Sequence, residues 1–389
     1  MPERGPHSVV AIVHPLGYVG VNPTIQSMIS VLAERGHEVH LISLARYRDE
    51  GRGFTSHELR VEFPWFATRG RRLSRLWMLI FAWQTVRRTR AGVVVAVDPL
   101  GALAATLTIL FTRALHLYLS LHLESLADLI GRRQYGPGVE RLLERRLIRR
   151  MDAVITQDDY RRRQLQEENG LDGEGVPCFI LPNSHRGSAR RRESTFYQEK
   201  LDLPIDEPLV LVAGAIQAPF SHTGFLSECA ACQDPPCYTL VMQSRETLSG
   251  STLRTLSKLS HNRAVLSPDP VPMEELANAF ASATVGAAIY TNAFYWNQNF
   301  VGGASGKMMS YLQAGVPVIM QDSPGITEVI REFECGEVLS ELDCDEFNTL
   351  VRKICSDHHR YSENAVRCYN EKYEFDEAFS EVYRFMIRP

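Results

Sequence analysis

No stretch of the 389-residue chain stays apolar long enough to cross a bilayer. The most apolar region, 91–121, is cut by Asp98, by Arg113 and by the turn Asp98–Pro99–Leu100–Gly101. It reads as strand, turn, helix and strand, whereas a span needs about 20 uninterrupted apolar residues. The opening MPERGPHSVV lacks the apolar core of a secretory signal, so a cytoplasmic protein is expected, with its eight cysteines reduced. A net basic balance is also missing. The formal charge is −4, which argues against a nucleic-acid partner. Between the first strand and helix stands HPLGYVGVNP, without the G-x-G-x-x-G of a dinucleotide fold, and this disfavours a nicotinamide-dependent oxidoreductase. Cys229, Cys232 and Cys237 have no second CxxC or HxxxH pair nearby. They therefore read as structural thiols before a zinc or redox site, and no metal is expected.

What the chain does have is alternation. Ser8–Val13 is a valine-rich run suited to a buried parallel strand. Asn22 can cap a helix with Pro23 at its first position, and Ile25, Met28, Ile29 and Leu32 mark one buried face. Gly36 ends that helix and Glu38–Ser43 is the next strand, completing a βαβ unit. Further strands are expected at Val93–Val97, Leu115–His122, Ala153–Gln157 and Cys178–Leu181, with helices at Leu100–Thr112 and Val139–Arg149.

The stretch 184–208 is polar and lacks periodicity, and it reads as a connection between domains with room for one helix. A second series follows. Its strands are Leu209–Gly214, Tyr238–Gln243, Val285–Tyr290 and Pro317–Met320. Its helices are Met273–Ala283, Lys307–Ala314 and Thr327–Phe333, before a helical tail over Glu346–Met386. The expected class is α/β, with two doubly wound Rossmann-like domains whose ligands bind at the carboxyl ends of the strands, in a cleft between them. The boundaries drawn are 1–183, a linker at 184–208, 209–370, and a last segment 371–389 able to pack back on the first domain.

The chemistry concentrates in ASGKMMSYLQAGVPVIMQDSPGITE, residues 304–328. Ser305, Gly306 and Lys307 stand at a helix start, where unpaired N–H groups and the positive dipole end favour an anion. Ser305 adds a hydroxyl, Gly306 close backbone approach, and Lys307 a cation. A plain Ser cap beside a solvated lysine is the bland reading of the same residues. His122 and His14 each stand at a strand end, and Gly17, Tyr18, Gly20 and Asn22 form the loop after the first strand.

SGKMMSYLQAGVPVI resembles the S-G-K…Y-L-x-A-G-x-P-V-I pattern of GT-B glycosyltransferases similar to family 4. ERGHEVHLIS, MDAVITQDDYRRRQL, ILPNSH, LVLVAGAI and VPMEELANAFASATVGAAIY resemble further elements along almost the whole chain. The resemblance implies a nucleotide-sugar donor on the C-terminal domain and an acceptor on the N-terminal one. Ser305, Gly306, Lys307 and Arg245 would hold the donor diphosphate, with Gly17 approaching it. The nucleoside would sit against Pro268–Pro272, at Pro270, and near Glu328. His122 would touch the transferred sugar as the catalytic residue. His14, Tyr18 and Asn22 would contact acceptor. No cofactor is implied beyond the donor, UDP-linked by family frequency. Transfer would be metal-independent, with retention of configuration. The one D-x-D, Asp343–Cys344–Asp345, lies in a late loop.

The chain departs from that pattern where the family carries two glutamates eight positions apart. Here Gly302 and Ser310 stand there. The usual Arg and Lys after the first donor-domain strand are missing, leaving His222 as the nearest basic group. A weakly catalytic GT-B protein serving as partner of another glycosyltransferase, or a sugar-nucleotide epimerase, are the competing readings. Separately, 69–90 sets arginine clusters around Leu76, Trp77, Leu79, Ile80, Phe81 and Trp83. Such a helix can lie peripherally on the inner face of an anionic membrane, the alternative being an ordinary packed helix with a basic end.

Overall fold

The computed structural model describes residues 9–17, 19–20, 22–44, 53–59, 69–121, 139–171, 175–214, 216, 222–233, 237–245, 247–248, 254, 264–267, 269–290 and 301–388. The chain divides into two compact units: Met1–Arg186 with Phe375–Pro389, and Gly187–Glu374. Each is built on an all-parallel sheet, covered by helices, with Rossmann-like winding.

The first unit carries seven strands in the order β3-β2-β1-β4-β5-β6-β7. These are β1 Val9–Val13, β2 Glu38–Leu44, β3 Thr55–Leu59, β4 Val93–Val97, β5 Leu115–Leu119, β6 Ala153–Thr156 and β7 Cys178–Ile180. Val10 of β1 lies against Val39 on one side and Val93 on the other. Every residue of β1 and β4 is buried, as a strand covered on both faces requires. The helices are α1 Pro23–Glu34, α2 Arg69–Thr89, α3 Asp98–Ala104, α4 Thr106–Phe111, α5 Val139–Ile148 and α6 Asp159–Asn169. Asn22 caps α1 by accepting from Ile25 N–H at 3.0 Å, and Ile25, Met28, Ile29 and Leu32 are buried.

The second unit carries six strands in the order β10-β9-β8-β11-β12-β13. They are β8 Leu209–Gly214, β9 Thr239–Ser244, β10 Ala264–Ser267, β11 Val285–Ala287, β12 Val318–Gln321 and β13 Gly336–Leu339. Around them lie α7 Phe196–Leu201, α8 Thr223–Ala231, α9 Leu276–Ala281, α10 Gly306–Gln313, α11 Thr327–Phe333, α12 Cys344–Ser356 and α13 His358–Lys372. The last helix, α14 Phe375–Met386, belongs to the first unit.

Several boundaries move from those expected. The stretch 184–208 is no linker as a whole, because the units divide between Arg186 and Gly187. Ser184 stays with the first unit, its carbonyl accepting from Ser27 Oγ at 3.1 Å. Ala189 and Tyr197 are buried in the core of the second. Only these few positions of a charged stretch turn inward, so no period shows. At the other end Tyr373 packs in the second unit's core, which moves that boundary from 370 to 374. Leu100–Thr112 is two helices broken at Ala105. The expected strand 115–122 leaves its ladder after Leu119, the expected 285–290 after Ala287, and Met273–Ala283 shortens to α9. The edge strands β3 and β10 were missed altogether. Edge strands need less apolar sequence than central ones, and β3 is no more than half-buried.

Phe375, Phe379, Val382, Phe385 and Met386 of α14 join the core formed by β1, β4 and α1. Arg186 adds a polar tie, donating to Asp376 at 2.8 Å and pairing with Glu34. Phe379 is fully buried and stacks on Phe375 at 5.5 Å between centroids. Truncating such a ring leaves a cavity as well as a lost transfer term, so Phe379→Ala should cost about 3–5 kcal/mol of first-unit stability. Urea denaturation followed by near-ultraviolet circular dichroism measures it, and a loss below about 1 kcal/mol would mean that α14 is dispensable.

Candidate functional site

In the second unit the chain starts at β8, winds outward to β10, then returns to the other side of β8 with β11. The order of strands therefore reverses between β8 and β11, and the crevice at the carboxyl ends of such a pair is where doubly wound sheets bind ligands. The N-terminus of α10 is fixed there by Tyr311. Its hydroxyl donates to Leu211 O at 2.7 Å and accepts from Ala213 N–H at 3.0 Å, both on β8. Its ring lies on β11 at Gly286, where a Cβ would come within 2.4 Å of it. Burial raises the phenol's pKa well above its ordinary value, so it stays a neutral donor.

Three of the expected donor residues meet at this end of α10. Ser305 Oγ caps the helix by accepting from Met308 N–H at 3.1 Å, and it shares a 2.6 Å hydrogen bond with the Tyr290 hydroxyl. The Lys307 ammonium lies 4.9 Å from the centre of the Tyr290 ring. Its stem runs past Gly214, where a Cβ would stand 3.2 Å from Lys307 Cε and where φ is +102°. Glycine serves both needs, close approach and positive φ. Arg245 follows β9, and its N–H donates to Gly214 O at 3.1 Å. Desolvation, and then the Arg245 charge, pushes the Lys307 pKa down to about 8.

The other expected donor residues follow neighbouring strand ends. Glu328 Oε2 accepts from Gly325 N–H at 2.7 Å, closing its own turn beyond β12. Pro270 follows Asp269, whose carbonyl accepts from Gln243 Nε2 at 2.7 Å. Ser310 returns its hydroxyl to Gly306 O at 2.9 Å. His222 stands at the cap position of α8, its pKa lowered by burial. Cys229 and Cys344 lie 2.9 Å apart between sulfurs, and the described residues include no group of three or more metal-ligating side chains.

In the first unit the strand order reverses between β1 and β4. His14 is buried directly after β1, its N–H bonded to Ile42 O at 3.0 Å. Gly17 takes a φ of +69° beside Ser43. Asn22 gives its side-chain oxygen to the α1 cap, and Thr24 Oγ1 bonds Asn183 Oδ1 at 3.0 Å. Tyr18 and His122 lie outside the described residues, but the chain just before residue 122 is tightly held. Asp98 Oδ1 accepts from Leu121 N–H at 2.7 Å, and Arg161 Nη1 donates to Leu121 O at 2.8 Å. Gln157 Nε2 donates to Ser120 O at 2.6 Å. All three side chains are buried.

Asp98 does this from a left-handed conformation, φ +57°, at the end of β4. Sequence reasoning read Asp98–Pro99 only as a turn, and missed Tyr290 because an aromatic at a strand end has no helix-like period. Gln157 just precedes α6 and Arg161 lies in its first turn, a spacing that carries no signal of its own.

The glycosyl transferase 4-like domain family matches residues 19–183. No curated protein sequence matches the chain at a significant level. Among solved structures, sucrose-phosphate synthase from Thermosynechococcus elongatus superposes with a TM-score of 0.71 at 12% identity, over 97% of this chain and 98% of that one. Anabaena Alr3699/HepE gives 0.70 at 12% identity over 98% and 99%. WaaG, a glycosyltransferase of lipopolysaccharide biosynthesis, gives 0.67 at 15% identity over 98% and 100%.

The strained Asp98 can be tested separately from any reaction. Asp98→Ala removes the Leu121 bond and keeps an L residue at positive φ, whereas Asp98→Gly removes the bond and relieves the strain. Both should destabilise the first unit by about 1–3 kcal/mol, the alanine variant by about 1 kcal/mol more. Equal losses in urea denaturation would mean that the turn relaxes and stores no strain. By its family match, its two Rossmann-like units and its superpositions, the chain is a GT-B-fold protein similar to the family 4 glycosyltransferases.

Proposed function

We propose that the chain transfers a sugar from a nucleoside-diphosphate donor, UDP-linked, to an acceptor held by the first unit. The observation that carries this is the pairing of Lys307 with Arg245. A desolvated ammonium is kept beside a second cation at a helix N-terminus, and Lys307 makes no ion pair among the described residues. Arg245 is exposed and Lys307 half-buried, and like charges brought together at the edge of such a site are stabilised when an anion joins them, which a diphosphate has the charge to do. HepE was solved with UDP and glucose, which supports a UDP-linked donor here.

In the transfer, the bond from the anomeric carbon to the diphosphate oxygen breaks, and its electron pair leaves with the diphosphate. Lys307, Arg245 and the α10 terminus would stabilise that charge without a metal. The acceptor oxygen bonds to the same face and passes its proton to the departing phosphate, giving retention. His122 would hydrogen-bond the sugar. Gly302 and Ser310, in place of two carboxylates, favour the second reading, a GT-B protein that binds nucleotide and supports a partner transferase.

Titration calorimetry of the purified chain with UDP tests the site. Lys307→Ala should weaken binding about 10–100-fold, the range for losing a buried charge-assisted contact. The pH dependence has a defined sign. A bound diphosphate raises the Lys307 pKa above its value of about 8, so binding takes up a proton. Affinity should be level near pH 7, where Lys307 is charged and the UDP terminal phosphate ionised, and fall above pH 8, by at most about tenfold per unit. A flat profile to pH 9.5, or undiminished binding by Lys307→Ala, would remove the assignment. UDP binding without release of sugar from any UDP-sugar would favour the partner-protein reading.

A further inference from the structure

Helix α2 has two sides. Met78, Ala82, Thr85 and Val86 are buried, and the helix packs on α3, β1, β2 and β3. Leu76 and Trp77 point the other way, 56% and 51% exposed. α4 packs against α2 and adds Leu110 and Phe111, 52% and 68% exposed. The Phe111 ring meets Trp83 edge-on at 6.3 Å. Trp83 is seven residues beyond Leu76, two turns along the same stripe, so the apolar tips of the two helices form one band. Single exposed leucines are ordinary, but a band of four large apolar side chains on two packed helices is not.

Charge identifies the partner. Arg69–Thr89 contains six arginines and no acidic residue, in a chain of net charge −4. Arg87, Arg88 and Arg90 are exposed at one end of α2, and Arg113 is exposed just beyond α4. The Arg87 guanidinium lies 5.7 Å from the Trp83 ring. We propose that this band, α2 with α4, docks on an anionic membrane surface. Leu76, Trp77, Leu110 and Phe111 would enter the acyl boundary, and the arginines would pair with anionic headgroups. A nucleic acid would satisfy the arginines and leave the apolar tips in water. A second copy of the chain, meeting this face by a twofold axis, would bring arginine cluster against arginine cluster. No described helix is long and apolar enough to cross a membrane.

The full chain is sedimented with vesicles of phosphatidylcholine, with and without phosphatidylglycerol, at low and high salt. It should pellet with the anionic vesicles at low salt and be released by high salt. Trp77→Ser with Phe111→Ser should lower the partition coefficient about tenfold or more, since each truncation removes a large apolar group from the acyl boundary. Arg87→Glu with Arg88→Glu gives an independent loss should the first pair fail to fold, which circular dichroism reports. Equal pelleting with neutral vesicles, or undiminished pelleting by both variants, overturns the proposal. So does a dimer in sedimentation equilibrium that Trp77→Ser with Phe111→Ser dissolves while vesicle binding stays. None of these readings depends on nucleotide binding.

Discussion

The second unit's candidate site depends on one pinned phenol. Tyr311 joins α10 to β8 through two hydrogen bonds, and it reaches β11 because Gly286 has no side chain to hold it off. That contact sets the height and the azimuth of the helix N-terminus. One turn earlier along α10, Lys307 must therefore run over Gly214, the last residue of β8, and Ser305 must meet Tyr290 beyond β11. The two strands that bracket the reversal of the sheet are linked to the two ends of the Ser-Gly-Lys motif by packing. A helix dipole gives only a fraction of a charge and a short reach. Its usefulness here comes from being fixed within contact of a desolvated lysine.

The first unit solves a similar problem with backbone strain instead of a phenol. Asp98 sits where its strand should simply turn into a helix. It adopts a positive φ so that its carboxylate can accept from Leu121 N–H. A non-glycine residue in that region costs about 1–2 kcal/mol. Arg161 and Gln157 add bonds to the carbonyls of Leu121 and Ser120, so the exit from β5 is held from three directions. Regular β5 pairing ends at Leu119, and side chains take over the backbone groups beyond it. The strain is thus placed at a point that must be fixed without a ladder partner.

Most of the frame was legible because buried parallel strands announce themselves. β1, β4 and β8 are valine-rich runs, and Asn22–Pro23 or Ser305–Gly306 mark helix starts by their capping chemistry. The Ser-Gly-Lys cluster was legible because it is local in sequence. What stayed hidden is what tertiary contact decides. Thr55–Leu59 is polar and joins the sheet only because β2 offers an edge. Tyr197 looked like part of a linker until its hydroxyl is seen 2.9 Å from Gln243 Oε1. Asp98 and Leu121, or Tyr290 and Ser305, are distant enough in sequence that no period connects them.

The missing carboxylates bear on how such a site would work. With Gly302 and Ser310 in place of acids, nothing in the α10 segment itself offers a negative group to an anomeric carbon gaining positive charge. Ser310 is turned inward to Gly306 O. On the proposed function, the protein's leverage would then be on the other partner of the breaking bond, the diphosphate. Lys307 suits that role because burial and Arg245 have already raised the free energy of its charged form. Leaving-group charge that grows beside it relieves both penalties at once, and the relief increases as the bond breaks. A cation held at its ordinary pKa in water would bind the ground-state donor as well as the departing group. In the proposed transfer, a cation short of solvation would gain more from charge that grows beside it than a solvated one, and it is this growing part of the interaction, not the part already present in the bound donor, that would lower the barrier.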